Sequence, residues 1–234
     1  MKNCFVIKGN ICQTINPKEL DLHENAYAVC VDGVSKGVFD ALPAEYAPLP
    51  LYDYGDALIF PGMVDLHVHA PQYAFRGMCM DLELMHKNGV FVAHCPASNM
   101  NLTSGIAPIR KYLDLGLNIG LGSDIAGGHC DSIFRAITDA IQVSKLYFRM
   151  VDETVKPLVF PEAFYLATKG GGAFFGQVGS FEEGYEFDAV VMDDRVLPHP
   201  QRLNLAERME RAVYLGLDEK RITAKYVAGE LIFT

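Results

Sequence analysis

The spacing of apolar positions changes twice along this chain. Up to residue 60 they come in short runs or alternate with polar residues, which predicts strands at Cys4–Ile7, Ile11–Ile15, Tyr27–Val31 and Val34–Phe39. Asp32-Gly33 between the last two is a hairpin signal. Pro43, Pro48 and Pro50 mark a loop, and Ala57–Phe60 reads as the next strand. From residue 61 strands alternate with helices. Strands are predicted at Met63–His69, Val90–Ala93 and Leu117–Leu121. Helices are predicted at Asp81–Asn88 and Ile106–Leu115, each followed by a glycine, then from Ile133 to about Phe148 and from Pro161 to about Ala167. Such alternation predicts parallel βαβ units. The β pattern then returns at Phe187–Met192, with a closing hairpin of Ile222–Val227 and Leu231–Phe233 across Ala228-Gly229-Glu230.

The fold class is therefore α/β, with two domains. Residues 1–60 and 184–234 are expected to build one shared sheet, flanking an α/β domain of residues 61–183. At 234 residues, 50% hydrophobic and 21% charged, the chain has ample apolar mass for a sizeable core. A formal net charge of −9 with no basic cluster argues against a nucleic-acid partner. No apolar run approaches the roughly 18 residues of a membrane span. The start, MKNCFVIKGN, lacks the apolar region and cleavage site of a secretory signal. Six scattered cysteines without a CxxC pair are then expected as free buried thiols, in a reducing, cytoplasmic setting.

The candidate chemistry begins at Pro61–Gly77, PGMVDLHVHAPQYAFRG. In a strand His67 and His69 point to one side about 6–7 Å apart, a spacing at which two neutral imidazoles grip one divalent metal. Two surface histidines are the plain alternative. Asp124 follows an apolar strand at the end where α/β folds place catalytic groups. It reads as a metal ligand or base, or simply as the N-cap of the next helix. Gly122, Gly127 and Gly128 allow backbone to approach a ligand there. Gln72 offers a carboxamide suited to the donor–acceptor edge of a purine-like amide. His94 lines a site or bonds loop backbone, with neither favoured, and His129 reads as a solvated histidine. His23 and His199 lie in peripheral segments and read as surface. Lys169-Gly170-Gly171-Gly172 lacks the order of a phosphate loop.

PGMVDLHVHAPQY, VFVAHCPASN, GLNIGLGSDIAGG and EAFYLATKGGGAFFG with the late FDAVV strand together resemble the amidohydrolase superfamily, and within it the guanine deaminases. The resemblance runs through essentially the whole chain. It implies a metal-dependent (β/α)8 barrel beside a small β-sandwich built from both termini. It further implies His67 and His69 as first-strand metal ligands, and Asp124 as the eighth-strand ligand and catalytic proton acceptor. Gln72 matches a substrate-binding position. The implied cofactor is one zinc, with iron as the alternative, the implied partner a small purine, and the implied assembly a homo-oligomer. The implied reaction turns guanine and water into xanthine and ammonia.

The chain departs from that family in one large respect. His69 and Asp124 are 55 positions apart, room for about two βα units at roughly 30 residues each rather than the seven that separate barrel strands 1 and 8. No H-x-x-E segment follows any of the seven histidines, so the family's remaining histidine ligands and proton-shuttling glutamate have no counterpart. The break falls near Met85–His86. The expectation is thus a barrel fragment keeping about strands 1, 7 and 8, with little or no activity alone. Two readings follow: an impaired guanine deaminase-like zinc hydrolase, and a non-catalytic remnant that folds or associates without turnover. Another aminated purine or pyrimidine is the lesser alternative substrate.

Overall fold

A computed structural model describes residues 3–67, 86–87, 89–195, 199–216 and 221–234. The chain forms two compact units, Met1–Gly62 with Phe175–Thr234, and Met63–Phe174. The expected boundary at 183/184 therefore moves. Phe181 lies fully buried in the core of the terminal unit, which draws the preceding segment into that unit.

In the terminal unit, strands β1 (Phe5–Gln13), β2 (Asp21–Val31), β3 (Val34–Phe39), β4 (Leu51–Pro61), β7 (Ala189–Met192), β8 (Ile222–Val227) and β9 (Glu230–Phe233) form one sheet in the order β3-β2-β1-β4-β7-β8-β9. Only the β1–β4 pair is parallel. The β2–β3 turn uses Asp32 and Gly33, both at positive φ, as a two-residue hairpin demands. Phe5 on β1 stacks on Tyr226 on β8 with ring centroids 5.1 Å apart, although β4 and β7 lie between those strands. The sheet must curl strongly to allow this, and it closes over Ile7, Ile11, Ala28, Ile59, Phe181, Phe187 and Val191. The curl brings Phe187 N–H to Gly33 O at 2.9 Å and Gly229 N–H to Phe187 O at 2.8 Å.

This unit also holds a helix that the strand-like reading of the C-terminal stretch passes over, Leu205–Tyr214. Asn204 caps it, accepting from Glu207 N–H, while Glu207 Oε2 accepts from Asn204 N–H. Leu205, Met209, Ala212 and Val213 form its buried stripe. Arg208 fixes it, donating to both oxygens of Asp194 and to Asp56.

The second unit contains a parallel pair, β5 (Phe91–His94) with β6 (Asn118–Leu121), in register Phe91↔Asn118 to His94↔Leu121. Its helices are α1 (Pro96–Asn101), α2 (Ile109–Asp114), α3 (Ile133–Met150), α4 (Phe160–Ala167) and the short α5 (Lys169–Gly172); the terminal unit's helix is then α6. The long α3 matches its predicted apolar spacing, burying Phe134, Ile137, Ala140 and Ile141. Pro108 delays the start of α2 relative to the expected Ile106. Arg110 on α2 makes a two-pronged pair with Glu162 on α4, at 2.7 and 2.5 Å, and caps Lys156 O and Pro157 O.

The lysine–glycine run has a packing role. A Cβ on Gly120 of β6 would fall 2.7 Å from Gly171 Cα and 2.3 Å from Leu66 Cδ1, so only glycine permits this approach of α5 to the strand. The described part of the predicted strand at Met63–His69 makes no regular ladder. It lies beside β6 through Leu66 N–H to Leu121 O at 3.0 Å, and Val64 N–H bonds Ala167 O at 2.9 Å. The predicted helix at Asp81–Asn88 lies mostly outside the described residues, as do Met85 of the inferred break, His69, Gln72 and Arg76.

Candidate metal centre

The second unit brings His67 and Asp124 together. His67 Nε2 is 3.1 Å from Asp124 Oδ1, and each side chain is 13% exposed. His67 lies on the segment beside β6, and Asp124 lies in the loop that follows β6. Asp124 adopts φ +47°, a left-handed conformation that aspartate tolerates better than most residues. Its carbonyl accepts from Gly127 N–H at 2.9 Å and Gly128 N–H at 2.6 Å, folding the loop back on itself. The glycines are spatial requirements. A Cβ on Gly122 would lie 2.7 Å from His67 Cβ and 2.8 Å from Cys95 Sγ, and one on Gly127 would lie 2.7 Å from Asp124 Oδ2.

Asp65 joins the two segments. Its Oδ1 accepts from His67 N–H and from Ser123 N–H, both at 3.1 Å, and its Oδ2 accepts from Ser123 Oγ–H at 2.5 Å. The β5 segment contributes Cys95 and α1. Burial, with smaller additions from the Asp124 and Asp65 carboxylates, pushes the Cys95 thiol up to about 12. Asn101 Nδ2 donates to Gly127 O at 3.1 Å, tying the end of α1 to the loop after Asp124.

His94 is 3% exposed, and its Nδ1 has no hydrogen-bond partner among the described residues. Burial holds the ring neutral, pulling its pKa from 6.5 down to about 4. His129 is exposed, His86 Nδ1 lies 3.2 Å from Gly116 O, and His199 is exposed. His23 is half-buried in the terminal unit between Asp21 and Asp40.

The donor chemistry at His67 and Asp124 suits zinc. Tetrahedral Zn–N and Zn–O bonds of about 2.0–2.2 Å hold two donor atoms roughly 3.4 Å apart, close to the observed separation. Among the described residues no group of three His, Cys, Asp or Glu converges on one point. Reasoning from the sequence singled out both members of the pair but not Asp65 or Cys95. Asp65 was legible as the residue two before His67 in the same alternating segment.

The model of the amidohydrolase family matches residues 78–232, well over half of the chain. The chain belongs to that family. It is 36% identical to guanine deaminase of Homo sapiens over 164 residues, an alignment covering 65% of this chain and 36% of the relative. The chain thus spans about a third of the length of the curated relatives it matches. Among solved structures, guanine deaminase from C. acetobutylicum, with guanine bound in its active site, superimposes with a TM-score of 0.89 at 25% identity, covering 99% of this chain and 100% of that one. An adenosine deaminase from Xanthomonas campestris with bound zinc superimposes with a TM-score of 0.70 at 14% identity, over 98% of this chain and 93% of that one, a likeness of fold. Among the described residues no helix is long and apolar enough to cross a membrane.

Proposed function

We propose that this chain carries part of a guanine deaminase-like hydrolytic site, whose reaction is guanine plus water to xanthine plus ammonia. The observation that carries the reading is the apposition of His67 and Asp124, from two separate segments, in a family member whose relatives include guanine deaminases. In this reading His67, His69 and Asp124 hold one zinc, and Gln72 reads the purine edge. The segment at 63–67, β5 and β6 stand for barrel strands 1, 7 and 8. The terminal unit stands for the family's β-sandwich. A small purine is the partner, a homo-oligomer the expected assembly and the cytoplasm the expected compartment.

Zinc held by these residues would supply Lewis acidity, easing loss of a proton from water near neutral pH. The chain's own residues do the rest. Asp124 Oδ1 faces His67, while Oδ2 lies over Gly127, where the missing side chain leaves room for a proton to arrive. Asp124 takes that proton from the attacking water. The leaving amine then needs that proton back from Asp124, and the sequence offers no H-x-x-E glutamate to relay it. Loss of such a group costs about 10²–10⁴-fold. The chain alone is therefore a slow deaminase at best.

Ammonia release from guanine by the zinc-loaded chain tests this. Slow turnover that disappears in Asp124→Ala supports the impaired hydrolase. Turnover that is unchanged in Asp124→Ala refutes it. No turnover together with no zinc binding leaves the non-catalytic remnant as the reading.

A further inference from the structure

Among the described residues, the segment carrying His67 meets β6 through Leu66 but forms no ladder with it. Leu66 N–H bonds Leu121 O. Ser123 N–H donates to the Asp65 carboxylate, as does Ser123 Oγ–H. The same carboxylate takes the N–H of His67. One side chain therefore holds the backbones of His67 and of the residue before Asp124 at once. Slippage of either segment would separate His67 Nε2 from Asp124 Oδ1, because side-chain position depends on register. Gly122 keeps the same junction close, since a Cβ there would strike His67.

We infer that Asp65 is a positioning residue, clamping the His67 and Asp124 segments in register so that their side chains meet as donors for one divalent cation. The cation part of this inference rests on the proposed site; the clamp itself rests on the three hydrogen bonds. Asparagine preserves the clamp, because its carbonyl oxygen accepts both backbone N–H groups and its amide donates to Ser123 Oγ. Alanine removes it. Groups that orient metal ligands typically contribute 10–100-fold in affinity.

The test is zinc affinity by chelator competition on the full chain, with the Co²⁺ absorption spectrum as a report on ligand geometry and amide exchange measured on the metal-free protein. Asp65→Ala should bind zinc at least tenfold more weakly, with an altered Co²⁺ spectrum and faster exchange at His67 and Ser123. Asp65→Asn should restore affinity and spectrum to near wild type. Ser123→Ala, which keeps both backbone bonds, should fall between them and serves if Asp65→Ala does not fold. Wild-type affinity in Asp65→Ala overturns the inference while leaving the cation site standing. A loss in Asp65→Asn equal to that in Asp65→Ala also overturns it, since the carboxylate would then act through its charge. If the wild-type chain binds no zinc, the cation reading fails, and amide exchange decides the clamp. Unchanged exchange at His67 and Ser123 in Asp65→Ala refutes it, and faster exchange upholds it.

Discussion

His67 Nε2 stands 3.1 Å from Asp124 Oδ1, and the space that lets them meet is left by a glycine. A Cβ on Gly122 would lie 2.7 Å from His67 Cβ, 3.1 Å from His67 N and 2.8 Å from Cys95 Sγ. Gly122→Ala must therefore push the His67 segment away from β6. The expected cost is about 1–3 kcal/mol of stability, the usual penalty of overpacking. Zinc affinity should fall in the same variant. Urea unfolding and chelator competition on one preparation check both effects.

The buried imidazole of His94 predicts a pH dependence. Its pKa falls from 6.5 when exposed to about 4 in the fold, because burial penalises the charged ring. Between these values the unfolded chain binds a proton that the folded chain does not, so stability falls as pH drops. The contribution is fully present above pH 6.5 and is lost progressively down to about pH 4, on the order of 3 kcal/mol in all. His94→Leu removes the titrating group and the unpartnered Nδ1 together. The difference in urea midpoint between pH 7 and pH 5, measured without metal, should shrink in that variant relative to wild type.

The Arg110–Glu162 pair predicts a dependence on shape as well as charge. Both side chains are largely shielded, at 18% and 14% exposure, and the guanidinium also caps two carbonyls. Arg110→Ala leaves Glu162 with only the Val159 N–H as a donor, strips both carbonyls of theirs, and should cost about 2–4 kcal/mol. Arg110→Lys should recover little of it, since an ammonium cannot make the paired fork. Thermal melts of the three proteins in low and high salt check this; the loss should persist in high salt because the pair is sheltered.

Local signals carried the elements that the sequence makes legible. The Asp32-Gly33 turn fixes β2 and β3, and the apolar stripe fixes α3 from Ile133 onward. β4 was legible only at its buried end. Its first half, Leu51–Asp56, is mostly exposed, and its strand character comes from parallel pairing with β1, a non-local contact. α6 carried a readable Asn204/Glu207 capping box inside a stretch otherwise read as β. α1 is only six residues long and opens on a proline, so its apolar spacing has no room to show. His67 and Asp124 were legible as candidates through residue type and family motif. Their contact was not, because it depends on Leu66, Asp65 and Gly122 setting the register between two distant segments.

Zinc binding by the full chain tests the central claim most directly, measured as metal content after equilibrium dialysis of the wild type, His67→Ala and Asp124→Ala. The wild type should hold about one zinc per chain. Each variant should lose most of it. Metal-free wild-type protein, or zinc content unchanged by either substitution, would contradict the claim.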